Sequence, residues 1–129
     1  MRLVILIFVL ALLSPIAFAE ESEEMPDTIY WALTPQFTVN LLGNKHYLRA
    51  SIQLQLTDEA TKTAIEENDP AIRHALIVLL SNNNVEDISN TSGKLDLQSR
   101  AVETLNNTLK KHANKSGVEA VFFTEFVSQ

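Results

Sequence analysis

Leu48, Ala50, Ile52, Leu54 and Leu56 alternate with Arg49, Ser51, Gln53, Gln55 and Thr57, a period of two held over ten residues. Successive side chains of a strand point to opposite faces, so this pattern requires an extended chain with one buried and one wet side. A helix would scatter the same five apolar residues around its circumference. The stretch therefore demands a sheet and something apolar to cover one face of it. Upstream, Phe37, Val39 and Leu41 share one face of a second extended segment, which starts near Thr28 and contains Pro35, an edge or bend residue. Gly43-Asn44-Lys45 supplies turn chemistry between the two, which predicts an antiparallel hairpin.

Downstream the period becomes helical. Thr57 is placed to cap a first helix, with Asp58 and Glu59 in its first turn and a weak apolar face of Ala60, Ala64 and Ile65. Asp69 as N-cap and Pro70 at the first helical position restart it. Ile72, Leu76, Leu79 and Leu80 then form a core stripe that Ile77 and Val78 widen. Asn82-Asn83-Asn84 breaks this helix, Val85 to Ile88 makes a short turn, and Thr91-Ser92-Gly93 reads as a loop. Lys94 to Ala113 is the third main helix, with Leu95, Val102, Leu105 and Leu109 inward and Lys110, Lys111 and His112 at its negative end. Asn114 or Gly117 can take the left-handed terminating conformation. Val118 to Val127 carries apolar residues on both faces (Phe122 and Phe126 on one, Val121, Phe123 and Val127 on the other), which predicts a strand inside the sheet. The order β-β-α-α-α-β implies an α+β layer fold, a mostly antiparallel sheet with helices packed on it.

Composition removes several functions. Ten Lys+Arg stand against 16 Asp+Glu for a net charge of −6, which argues against nucleic acid as a partner. Without cysteine there is no disulfide scaffold, thiolate metal site or cysteine nucleophile. His46, His74 and His112 lie in separate elements, none at metal-ligand spacing. Three glycines leave no phosphate-cradling loop, and no serine sits in a Gly-x-Ser-x-Gly elbow. Asp58-Glu59 and Glu66-Glu67 have polar neighbours, the setting of a solvated face rather than of acid–base catalysis. No catalytic, cofactor-binding or metal-binding residue is predicted, and no small-molecule substrate. The sequons at Asn90, Asn106 and Asn114 read as chance in an Asn-rich chain.

Residues 1–19 set the compartment. Arg2 precedes eleven apolar residues, Leu3 to Leu13. Ser14-Pro15 breaks the run, and Ala17-Phe18-Ala19 leads into Glu20-Glu21-Ser22-Glu23-Glu24. A positive end, a short apolar stretch and small residues two apart make a secretory leader cut between Ala19 and Glu20. The other reading is a short membrane anchor over residues 3–19, below the roughly 20 apolar positions of a spanning helix. Both send the remainder to the far side of the membrane. Residues 20–29 then read as an acidic tether and residues 30–129 as the folded domain.

Four segments resemble the periplasmic domain of the FliL family of flagellar basal-body-associated proteins. Phe37-Thr38-Val39-Asn40-Leu41 is similar to its first-strand signature, with Tyr47-Leu48 and the alternating strand following as expected. Pro70-Ala71-Ile72-Arg73, leading to Leu79-Leu80-Ser81, resembles its Pro-x-Ile-Arg helix. Gly93-Lys94 matches the opening of its next helix, and Phe123-Thr124-Glu125-Phe126-Val127 with Gln129 its closing strand. The resemblance implies a fold like that of stomatin-type (SPFH) domains and a non-enzymatic role beside the flagellar motor. It further implies self-association, contact with stator units and the basal body, and support of swarming and of rotational control in chemotaxis. The location implied is the periplasmic side of the bacterial inner membrane. Family members carry a basic cytoplasmic segment and a full transmembrane helix, where this chain has Arg2 and the short apolar run. Phe37, Ile72, Leu79, Leu80 and Phe126 are explained by core packing, Pro70 and Gly93 by helix starts. Asn40 is expected mid-strand with a bond to a neighbouring loop, and Arg73 is expected to pair with Glu66 or Asp69. The alternative to a flagellar role is a general periplasmic scaffold or binding module of the same fold.

Overall fold

The computed structural model describes residues 28–129; the expectations for residues 1–19 and for the acidic stretch up to Asp27 lie outside the described residues. Leu48, Ala50, Ile52, Leu54 and Leu56 are all buried, on one face of the strand β2 (Tyr47–Leu56). On one side β2 pairs antiparallel with β1 (Ile29–Asn40), on the other with β3 (Val118–Ser128), giving the sheet order β1-β2-β3. The hairpin expected from the sequence is present.

The closing strand departs from expectation. β3 is an edge strand, not an interior one. On the core face Ala50 opposes Phe126, Ile52 opposes Phe123, Leu54 opposes Val121 and Leu56 opposes Val118. Two register shifts therefore insert an extra β3 residue, between Ser51 and Ile52 and between Gln55 and Leu56. Each bulge reverses the parity of the strand. Val118, Val121, Phe123 and Phe126 thereby share the core face, and Phe122 is left on the wet one, 39% exposed. β1 carries its own irregularity between Leu33 and Phe37, around the cis Thr34–Pro35 bond, and resumes with Phe37 and Val39 still inward.

Four helices follow β2: α1 (Glu59–Glu67), α2 (Asp69–Ser81), α3 (Val85–Ile88) and α4 (Thr91–Ala113). α2 lies against β1, α4 against β3, and the two helices pack on each other. The caps correct the expected boundaries by one to three residues. Asp58, not Thr57, caps α1: its Oδ1 accepts from the Thr61 N–H at 2.7 Å, and that bond lowers the carboxyl pKa below 3.8. Thr57 is held instead by the sheet, donating its N–H to the Gly117 carbonyl. Asn68 precedes α2, so Asp69 is already helical, with Pro70 in the first turn. Asn90 Oδ1 accepts from the Gly93 N–H at 2.7 Å, which makes residues 91–93 the opening turn of α4 rather than a loop. Asn114 ends α4 in the left-handed conformation, φ 51°, as expected.

The buried face of α4 is also rotated from the expected one. It consists of Leu97, Ala101, Leu105 and Leu109, a strict four-residue stripe, while Leu95 is 58% exposed and Val102 half-buried. Ala101 is too small to weigh in an apolar count, which tilted the sequence pattern toward Leu95. On α2, Ile72, Leu76 and Leu80 are buried, but Ile77 and Val78 face solvent. Among the described residues no helix is long and apolar enough to cross a membrane.

The rotated face has a direct test. Leu97→Ala removes a fully buried side chain and is expected to cost about 2–5 kcal/mol. Leu95→Ala should change stability by no more than about 0.5 kcal/mol. Urea denaturation of both variants checks the pair, and equal losses would contradict the assigned face.

Candidate functional site

One rung of the sheet gathers most of the motif residues. Phe37, Ala50 and Phe126 stand directly opposite one another on the core face of β1, β2 and β3. A cation from a helix covers each flanking ring. The Arg73 guanidinium of α2 lies 4.1 Å from the Phe37 ring centroid, and Lys94 Nζ of α4 lies 5.3 Å from that of Phe126. Phe123 packs on Phe126 with centroids 5.1 Å apart. Each helix is thus seated on its own edge strand by a cation over an aromatic face, an electrostatic attraction to the ring quadrupole. On the same helix as Arg73, Pro70 stands exposed in the first turn and Ile72 is fully buried.

Two expectations are corrected here. Arg73 pairs with neither Glu66 nor Asp69. The ion pairs among the described residues are Arg49–Glu125, Lys62–Glu59 and Arg100–Asp96, and Arg73 Nη1 is buried without a hydrogen-bond partner. Stacking on Phe37 turns the guanidinium toward the sheet and away from the carboxylates of its own helix side. Asn40 is not mid-strand: it is the exposed last residue of β1, opposite Tyr47. The bond to a neighbouring loop comes two residues later, where the Leu42 N–H donates to the Asn83 carbonyl at 3.0 Å. Leu41, between them, is buried.

Asn83 is a residue that the sequence reading treated only as a helix breaker. Buried, it donates through Nδ2 to the Leu79 and Leu80 carbonyls at 2.8 and 3.0 Å, and its Oδ1 accepts from Arg100 Nη2 at 3.0 Å. The end of α2, the hairpin turn and α4 therefore meet on one amide. Asn106 acts similarly: its side-chain amide exchanges two hydrogen bonds with the backbone of Val118, at 2.9 and 3.0 Å, in the manner of a strand neighbour. Asn90 and Asn106 thus have structural work within their sequons. A run of asparagines beside helix ends was the available signal for such roles.

Among the described residues the other face of the sheet carries no helix. Gln36 Nε2 donates to Ser51 Oγ and Glu125 Oε2, both at 2.9 Å, and Arg49 reaches Glu125 at 3.7 Å. Gln55 donates to Glu119, Tyr47 to Gln129, and Thr124 Oγ1 to the Ser51 carbonyl. Tyr30 and Phe122 add two exposed rings 6.5 Å apart. Glu125 and Thr124 belong to this polar lattice, whereas Phe37, Arg73, Lys94, Phe123 and Phe126 belong to the rung beneath it. Among the described residues no cluster of metal-ligating side chains accompanies them. His46, His74 and His112 are exposed and separate. A shallow concavity of about 580 Å³ between α1 and the end of α4 is lined by Glu67, His112 and Lys115 among others. What the arrangement offers is surface.

Comparison with known proteins bears on what that surface serves. A match to the family described as "Flagellar basal body-associated protein FliL" covers residues 30–129. The flagellar protein FliL of Aquifex aeolicus is 31% identical over 103 residues, 78% of this chain and 62% of that protein. The flagellar protein FliL of Escherichia coli K12 is 32% identical over 103 residues, 80% of this chain and 66% of that protein. The matched stretch thus spans a little under two thirds of each relative's length.

Two outcomes follow from the seating of the helices. A Cβ on Gly93 would fall 1.8 Å from the Asp87 carbonyl oxygen, a backbone atom of α3. Gly93→Ala should therefore destabilise by about 1–3 kcal/mol or more by urea denaturation, although alanine is the better helix former. A double-mutant cycle of Arg73→Met with Phe37→Leu should give a coupling of about 0.5–2 kcal/mol. The corresponding cycle of Arg73→Met with Glu66→Gln should give a value near zero.

Proposed function

Because the chain belongs to the FliL family of flagellar basal-body-associated proteins, we propose that it is a non-enzymatic accessory of the flagellar motor that works through protein–protein contacts. The observation that carries this is the family match across residues 30–129, almost all of the described chain. In this reading the domain stands on the periplasmic side of the bacterial inner membrane. Residues 20–29 tether it, and residues 1–19 either deliver it as a leader cut at Ala17-Phe18-Ala19 before Glu20 or hold it as a short anchor. It associates with copies of itself, engages stator units and the basal body, and supports swarming and the control of rotation in chemotaxis. One sheet covered by helices on a single face suits a stomatin-like domain that presents its other face to neighbours. The motif residues divide accordingly. Phe37, Leu41, Ile72, Gly93, Phe123 and Phe126 hold the fold, while Asn40, Pro70, Arg73, Lys94, Thr124 and Glu125 border surface that a partner can reach.

The test is a clean deletion scored for swimming, swarming and stator number per motor, with a fluorescent fusion of the full chain in the same strain. The expected outcome is foci at flagellar bases, and fewer engaged stators with reduced swarming in the deletion. Normal swarming with unchanged stator number and a diffuse fusion would leave a general periplasmic scaffold as the better account.

A further inference from the structure

Lys62, Glu66, Asp69 and Arg73 follow one another at spacings of four, three and four residues along α1 and α2. Residues so spaced share one helix side, and their contacts show that this side runs along β1. Lys62 Nζ sits 4.6 Å from the Trp31 ring centroid, and Arg73 lies over Phe37. Between them Glu66 and Asp69 line a cavity of about 200 Å³ together with Trp31, Ala32, Leu33 and Thr34. A row of charges, plus–minus–minus–plus, thus overlooks β1, whose outer edge has no strand beside it among the described residues. The row is poorly neutralised from within. Glu66, Asp69 and Arg73 enter none of the ion pairs among the described residues, and Nη1 of Arg73 is buried without an acceptor.

An open strand edge offers unpaired N–H and C=O groups to an extended chain, and alternate side chains of the added strand then point toward the covering helices. We propose that the β1 edge between Trp31 and Phe37 receives an extended segment of a different protein by strand addition. That segment seats a basic side chain between Glu66 and Asp69, and a carboxylate two residues away on the same side meets Arg73. Charge decides the occupant. The core-facing residues of β1 near this edge are Trp31, Leu33 and Phe37, and those of β3 are Val121, Phe123 and Phe126. Neither edge of a second copy supplies the base and acid that the row calls for. The inference rests on the reading that the domain works by protein contact, but not on the partner being flagellar.

The experiment places a benzoylphenylalanine photo-crosslinker at the exposed Thr34 of the full chain, in motile cells, and sequences the crosslinked peptide by mass spectrometry. The expected adduct is a segment of another protein with Lys or Arg two residues from Asp or Glu. Its yield should fall at least about tenfold in the Glu66→Lys/Asp69→Lys variant and in Arg73→Glu, as loss of a close interfacial charge pair implies. The melting curve of the Glu66→Lys/Asp69→Lys variant should match the parent, separating lost binding from lost folding, whereas that of Arg73→Glu falls with the loss of the cation over Phe37. An adduct with a second copy, one lacking the acid–base pair, one that survives charge reversal, or no adduct would each overturn the proposal. An adduct of the right pattern from a protein outside the flagellum would uphold it and overturn the flagellar reading instead.

Discussion

Everything in this domain is organised around Ala50, a fully buried methyl group at the middle of the central strand. The two rings that flank it, Phe37 and Phe126, have space above the sheet only because the residue between them is small. Each ring then offers its face to a helix, and each helix answers with a cation, Arg73 or Lys94. α2 lies against β1 and α4 against β3, and the two helices pack against each other. A larger residue at position 50 would separate the rings and lift both helices, because close-packed interiors accept added volume poorly. Three strands and two main helices are thereby fixed in one layer on another with no disulfide.

What the sequence showed of this was uneven, for identifiable reasons. Period-two alternation survives in β2 because the extra residues of the register shifts lie on β1 and β3, so Leu48 to Leu56 could be read directly. β3 defeats the same reasoning. Its two bulges are a property of pairing, not of the strand itself, and only the register with β2 shows that Phe122 points outward while Phe123 points in. The face of α4 was misread for a different cause. Apolar counting weighs Leu95 above Ala101, whereas burial is decided by which side meets the sheet and α2.

Asparagine was the residue type least legible in advance. Asn83, Asn90, Asn106 and Asn114 each satisfy backbone groups that the fold would otherwise leave open: helix carbonyls, a first-turn N–H, the start of β3 and the close of α4. Buried main-chain donors and acceptors nearly always find partners, so such residues must exist somewhere. Turn-forming chemistry identifies a helix end but not which distant carbonyl it will meet. Arg73 was misread by the same limitation. Helical spacing proposed a carboxylate from its own side, and the aromatic ring that claims it stands 36 residues earlier in the chain.

A sheet covered on one side has to avoid uncontrolled pairing at its edges. Bulges do part of this: β3 is interrupted twice, which shortens any flat stretch it offers to another strand. The wet face is knitted largely by polar side chains, with the exposed rings of Tyr30 and Phe122 among them. Along β1 a further filter operates, because any chain approaching the edge must pass beneath Lys62, Glu66, Asp69 and Arg73. An apolar strand would leave those charges desolvated and unanswered, a cost of several kcal/mol. A strand with matching charges would meet no such penalty. The same row that discourages indiscriminate pairing therefore selects for one kind of partner, which is how a small acidic domain can be specific through charge alone.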